Sequence, residues 1–209
     1  MQHAATFWDR TAEKYAKSPI ADPKAYNDTL ARTRSYLATG DRVLEIGCGT
    51  GSTALLLAEN VSEIVATDIS PKMIEIAGRK AQAQGIANAR FEVADVEDAT
   101  RGSGPYDAVL AFNLVHLLED APAAIASVHA ALKPGGLFIS KTVCQPGAGA
   151  PLKFRLIKFI LPLMQWLGKA PYVNFMAADA LDALITSRGF TILETLDQPP
   201  SRYIVARKG

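Results

Sequence analysis

The 209 residues carry 22 Lys and Arg against 21 Asp and Glu, for a formal net charge of +1, so no global field draws the protein to nucleic acid or to an anionic membrane. With 49% hydrophobic and 21% charged residues, 15 Gly and 12 Pro, collagen-like, low-complexity and largely disordered classes are excluded, and a chain of this length buries a core without staples. The two cysteines, Cys48 and Cys144, lie far apart with no CxxC and only three histidines elsewhere, which removes any disulfide framework or zinc signature and points to a reducing, cytoplasmic setting.

Taken in chain order, the N-terminus MQHAATFWDRTAEKY mixes charges in its first turns and has no apolar core of a secretion signal. Residues 1–40 read as two helices, the second ending at Thr39-Gly40, where glycine can cap in the left-handed conformation. Apolar strand-like runs then alternate with helix-like ones: Arg42–Ile46, Glu63–Thr67, Ala89–Val93, Tyr106–Ala111, Gly136–Val143, Phe190–Leu196 and Tyr203–Ala206. This rhythm predicts an α/β fold with a seven-stranded, mostly parallel sheet and helices on both faces. The DQPPSR hairpin near the C-terminus reverses one strand. Residues 145–176 interrupt the last crossover with QPGAGAP and the run LKFRLIKFILPLMQWLGKAPYVNFM. The longest stretch free of Asp, Glu, Lys and Arg, Ile46–Ala58, has 13 residues, short of the ~18 that a membrane-spanning helix needs. One domain over 1–209 is expected, with 1–40 as a helical cover and 145–176 as an inserted lid-like segment.

The strongest chemical signal is RVLEIGCGTGSTALLLAE, a strand running into Gly47, Gly49 and Gly51 and then into a helix near Ser52. Glycines at alternate positions let the backbone turn sharply and approach a ligand, with N–H groups and a helix N-terminus aimed at negative charge. The next strand ends in Asp68, about the distance at which an acidic residue meets ribose hydroxyls in nucleotide-binding sheets. A second reading makes Asp68 an acid near the helix that Ser70-Pro71 starts. Ser52 stands where a dinucleotide fingerprint wants its third glycine, which counts against a pyrophosphate ligand.

The blocks FWDRTAEKYAKSP, VLEIGCGTGSTALLLA, IVATDISPKMIEIA, FEVADVED, YDAVLAFNLVHLL and LKPGGLFIS, in this order over about residues 7–143, resemble the class I S-adenosylmethionine-dependent methyltransferases. Within these the likeness is to the small-molecule group that includes ubiquinone/menaquinone-biosynthesis (type 11) methyltransferases. The resemblance implies a Rossmann-like fold and S-adenosyl-L-methionine as cofactor. It implies that Gly47, Cys48, Gly49 and Gly51 wrap the methionine end, with Glu45 supporting the loop, and that Asp68 binds the ribose. Ile69 and Met73 would sandwich the adenine, Asp95 and Val96 would read its edge, Phe112 and Asn113 would lie beside the sulfonium, and Tyr15 would close on the cofactor. LKPGG would be a helix-to-strand turn without chemistry.

Methyl transfer is an in-line displacement that needs positioning, exclusion of water and, for hydroxyl or carbon acceptors, a base. His116, three residues past Asn113 at the carboxyl end of the fourth strand, is the candidate catalytic base; packing within LVHLL is its other reading, and Tyr15, Lys141 or the acceptor's own ionisation would replace it. His129 reads as a surface or packing residue. From Ala121 to Ala178 there is no Asp or Glu but several lysines, so the apolar run over 152–167 suits a lid on an apolar or acidic acceptor, a peripheral membrane contact, or plain core or dimer packing. The expected function is methylation of a small, apolar or amphipathic acceptor, with no nucleic-acid partner and no metal. An NAD(P)-dependent oxidoreductase or a noncatalytic cofactor-binding module are the alternatives. The acceptor, the methylated atom and the oligomeric state are not legible.

Overall fold

The computed structural model describes residues 2–102, 104–145, 161, 164–165 and 170–209. Among these, seven strands, β1 (Arg42–Ile46), β2 (Glu63–Asp68), β3 (Ala89–Val93), β4 (Tyr106–Phe112), β5 (Leu132–Val143), β6 (Phe190–Gln198) and β7 (Ser201–Lys208), form one sheet in the order β3-β2-β1-β4-β5-β7-β6. Pairings among β1 to β5 are parallel, and β7 runs antiparallel to both β5 and β6. The helices are α1 (Gln2–Lys17), α2 (Pro23–Arg34), α3 (Ser52–Leu57), α4 (Pro71–Gln84), α5 (Val96–Gly102), α6 (Ala121–Ala131) and α7 (Ala178–Ser187).

The central strands are buried on both faces, which is why they read as continuous apolar runs rather than alternating ones. Because side chains alternate across a strand, Leu44, Ile46, Val109 and Phe138 pack on one face with Ile125 of α6 and Leu181 of α7. Val43, Leu110 and Ile139 pack on the other with Leu30 of α2 and with Ala54 and Leu57 of α3. This alternation fixes which face each polar residue at a strand end must serve. Glu45 follows Val43, Phe112 follows Leu110 and Lys141 follows Ile139, so all three stand on the α2–α3 side.

Helix starts obey local chemistry. Asp22, Ser70 and Asp120 each accept a hydrogen bond from the backbone N–H three residues on, with proline in the first two helical positions. The second helix ends at Arg34 rather than at Thr39-Gly40. The N–H groups of Ser35, Tyr36 and Leu37 bond back to Ala31, Thr33 and Arg34, so the end closes in tight turns and no left-handed Gly40 is used. LKPGG also departs from expectation. Leu132 already pairs with Tyr106, and the register then shifts before Ala108 meets Leu137, which makes KPGG a bulge inside β5. A Cβ on Gly136 would lie 2.9 Å from the Lys133 carbonyl oxygen and 3.0 Å from that of Asp107, so the strands can approach there only at a glycine.

Most of 145–176, including most of the apolar stretch 152–167, lies outside the described residues. Its two ends are tied to the carboxyl end of the sheet: Gln145 N–H donates to the Met176 carbonyl and Asn174 N–H to that of His116, each at 2.7 Å. Among the described residues no helix is long and apolar enough to cross a membrane.

Candidate active site

At the carboxyl ends of β1, β2 and β4 the chain leaves the sheet through three loops that face one another. Gly47, Gly49 and Gly51 all have positive φ, at 66°, 55° and 73°, a conformation that costs little only without a Cβ. Their neighbours distinguish them. A Cβ on Gly49 would meet only Tyr15, at 3.7 Å, whereas one on Gly51 would lie 2.6 Å from the Phe91 ring and 2.7 Å from Ala77 Cβ. Gly51 therefore serves the packing of α3 against its neighbours and is not among the cavity-lining residues, while Gly47, Cys48 and Gly49 line the cavity.

Asp68, at the end of β2, is bound into this loop. One carboxylate oxygen accepts from Gly49 N–H and the other from Ser70 N–H, both at 2.9 Å. Ser70, not Asp68, is the side-chain cap of α4. Burial raises the Asp68 pKa, partly opposed by the bonds from Ser70 and Gly49 and helped by nearby Asp9. Glu45 is 2% exposed, and burial pushes its pKa up to about 8 against the Ala54 N–H bond that favours the anion. Its Oε2 is buried and has no hydrogen-bond partner among the described residues.

The other residues expected to hold a cofactor converge on the same space. Tyr15, Ile69, Met73, Asp95, Val96, Phe112 and Asn113 all line a cavity of about 1310 Å³ together with Glu45 and Asp68. Asp95 also accepts from Asp98 N–H at 2.9 Å as α5 begins. Asn113 takes a positive φ of 56° and its N–H donates to the Lys141 carbonyl at 2.7 Å, so the end of β4 is held open beside β5. Tyr15 is 52% exposed and stacks edge-on to Trp8 at 6.3 Å. Its phenol pKa is raised by burial and then by Asp68, Tyr26 and Glu45.

His116 is not brought to the cavity. It sits in a 3-10 turn over Val115–Leu117 and is 8% exposed. Leu114, Leu117 and Leu118 line the cavity on either side of it in sequence. Its Nδ1 has no partner among the described residues, and burial pushes its pKa down to about 4. The position after β4 thus turns the imidazole inward, which separates it from the role expected of a base. His129 packs edge-on against Phe190 with ring centroids 5.0 Å apart.

The same cavity is also lined by Trp8, Asp22, Asp28, Thr29 and Gln198, and by Lys141. Asp9 anchors α1 over the site, accepting from Ser70 Oγ at 2.5 Å and from Lys72 N–H at 3.0 Å. The FWDRTAEKY block was the signal for Asp9 and Trp8. Nothing in spacing pointed to Thr29 or Gln198, which reach the cavity through the fold alone.

A Rossmann-like sheet with a glycine loop after β1, an acid after β2 and a cavity over the carboxyl ends is the arrangement of a cofactor-binding α/β fold. Residues 17–195 match the model of the methyltransferase domain, and the chain belongs to this family of S-adenosylmethionine-dependent methyltransferases. It is 32% identical over 166 residues to a demethylmenaquinone methyltransferase of Thermus thermophilus, covering 72% of this chain and 74% of that one. It is 27% identical over 154 residues to a ubiquinone biosynthesis O-methyltransferase of Xanthomonas axonopodis, covering 73% and 64%. The fold matches magnesium protoporphyrin IX methyltransferase from Synechocystis with bound SAH, at a TM-score of 0.71 and 20% identity over 100% of this chain and 97% of that chain.

Proposed function

We propose that the chain methylates a small, apolar or amphipathic acceptor held between the carboxyl end of the sheet and a cover that includes the helices of residues 1–40. The observation that carries this reading is the continuity of the cavity. One space of about 1310 Å³ runs from Gly49 and Asp68 to Lys141 and Gln198, more than the roughly 300–1,000 Å³ of a usual single-ligand pocket. It has room for a cofactor and an acceptor side by side.

The residues at the β1–β2 end suit S-adenosylmethionine. The methionine ammonium beside Glu45 would favour the ionised carboxylate over the protonated form that burial favours, and would give Oε2 the partner it lacks among the described residues. Gly49 leaves open space where a side chain would stand. Asp68 keeps lone pairs beyond the two N–H bonds it accepts and would take the ribose hydroxyls. Ile69 and Met73 would flank the adenine, with Asp95 and Val96 at its edge and Phe112 and Asn113 beside the sulfonium. Tyr15 and Trp8 would close the mouth and exclude water.

When bound, the cofactor supplies an electrophilic methyl group on a sulfonium. The chain's contribution is to hold the acceptor atom in line with it and to keep the space dry. The buried, unpaired thiols of Cys48 and Cys144 suit a reducing compartment such as the cytoplasm. The names of the Thermus and Xanthomonas relatives support an acceptor with an aromatic head and an apolar body, and the lysine-bearing apolar sequence of 152–167 suits contact with a membrane that carries such molecules. The test is a screen of quinols, phenols, thiols, amines and fatty acids that reads S-adenosylhomocysteine formation. Turnover with a quinol or phenol is expected, and turnover confined to short polar amines would overturn the acceptor class.

A further inference from the structure

Lys141 stands at the carboxyl end of β5, where its Cα pairs in register with Phe112, one strand spacing of about 4.8 Å away. Its carbonyl receives the Asn113 N–H at 2.7 Å. The two residues assigned to the sulfonium side are therefore its immediate backbone neighbours. Strand alternation sends the side chain to the α2 face, where Nζ donates to Thr29 Oγ1 at 2.9 Å and reaches the Ala25 carbonyl at 3.5 Å. Thr29 in turn donates to the Ala25 carbonyl at 2.7 Å, which leaves its oxygen as an acceptor for the ammonium.

No carboxylate forms an ion pair with Lys141 among the described residues, and the stretch from Ala121 to Ala178 contains neither Asp nor Glu. The acids nearest in charge, Asp22 and Asp28, are engaged elsewhere: Asp22 caps α2 through Ala25 N–H at 2.9 Å, and Asp28 holds Lys24 at 2.7 Å. Burial lowers the Lys141 pKa and the charges of Asp22 and Asp28 partly restore it. An ammonium with an unused donor, half-buried in a wall that also carries Ile20, Leu30 and Phe112, lacks its natural counterpart.

We propose that Lys141 is the acceptor-recognition residue of this site: its ammonium binds an acidic oxygen, of a phenolic hydroxyl or a carboxylate, on an otherwise apolar acceptor and holds it beside the methyl-donor position. The inference rests on the proposed function. A hydroxyl acceptor would give its proton to water as it binds, and the ammonium would hold the oxyanion that remains. This arrangement supplies what His116, turned into the interior, does not: a group at the cavity wall that favours the reactive form of the acceptor.

The probes are 4-nitrophenol, 4-nitrobenzoate and neutral 4-nitroanisole, titrated against the full chain saturated with S-adenosylhomocysteine. Wild-type protein should bind the phenolate and shift the ionisation of 4-nitrophenol, read from its visible absorbance, downward by about one pH unit. In Lys141→Met the phenolate should bind roughly tenfold more weakly, and the shift should vanish while 4-nitroanisole binding stays unchanged. Lys141→Arg should recover part of the phenolate affinity. Preference for the benzoate with the same lysine dependence would identify a carboxylate acceptor.

Affinity for S-adenosylhomocysteine, and a melting temperature close to wild type, establish that each variant is folded. Failure of the wild type to bind S-adenosylhomocysteine would remove the proposed function itself. Normal binding of that product together with anion binding that is absent, or equal in wild type and Lys141→Met, would overturn the role of Lys141 alone.

Discussion

Replacing Asp68 with alanine separates its two structural duties from its assigned chemical one. In the protein its oxygens accept from Gly49 N–H and Ser70 N–H, each at 2.9 Å, so the substitution strips partners from two backbone donors and should lower stability by about 1–3 kcal/mol. The ribose hydroxyls would lose an ionised acceptor as well. A hydrogen bond to a charged group is worth about 1.5–3 kcal/mol, which at 1.4 kcal/mol per decade predicts S-adenosylhomocysteine binding weaker by roughly tenfold to a hundredfold. Asp68→Asn keeps one oxygen for the loop and should recover part of the melting temperature while affinity remains reduced. Calorimetric titration and thermal unfolding of both variants measure the two effects independently. An alanine variant that unfolds at lower temperature yet binds S-adenosylhomocysteine as tightly as wild type would show that Asp68 only braces the loop, and the ribose assignment would be wrong.

Glu45 sets a pH dependence of stability. Burial pushes the Glu45 pKa up from the ordinary 4.5 to about 8, so ligand-free stability should fall as pH rises from about 4.5 to 8 and level off above, and Glu45→Gln should flatten that slope in thermal melts. Gly51→Ala should cost about 1–3 kcal/mol through its positive φ and the clash with Phe91 and Ala77, with affinity for S-adenosylhomocysteine nearly unchanged in the folded fraction; Gly49→Ala should instead lose affinity for more of its effect, as calorimetry on both will show. His116→Leu removes an imidazole whose Nδ1 is buried without a partner among the described residues, and it should leave turnover within a factor of about three, well short of the 10²–10⁴-fold effect of losing a general base. A loss of that larger size with an intact fold would restore His116 as the base.

The parts of the molecule that depend on local pattern were legible in the sequence. Continuous apolar runs marked the strands because parallel strands are covered on both faces, and the reversed β7 followed from the DQPPSR hairpin. Gly47, Gly49 and Asp68 could be placed because a glycine turn and a strand-end acid carry their chemistry in sequence spacing. Gly51 shared the spacing but not the surroundings, since what it faces is Phe91 and Ala77, a contact only tertiary packing creates. The burial of His116 was not legible for a related reason: proximity to a strand end does not fix which way a 3-10 turn points its side chain. Lys141 could be named only as a substitute, because its contact with Thr29 on α2 joins residues 112 positions apart. The wall around Thr29 and Lys141 is assembled from such distant pieces, whereas the loop around Gly49 and Asp68 is built from two successive strand ends.

The most direct test of the central claim is calorimetric titration of the wild-type protein with S-adenosylhomocysteine and, separately, with NADH. The glycine loop, Asp68 and the buried Glu45 carboxyl predict one-site binding of S-adenosylhomocysteine and none of NADH. Binding of NADH with no heat from S-adenosylhomocysteine would contradict it.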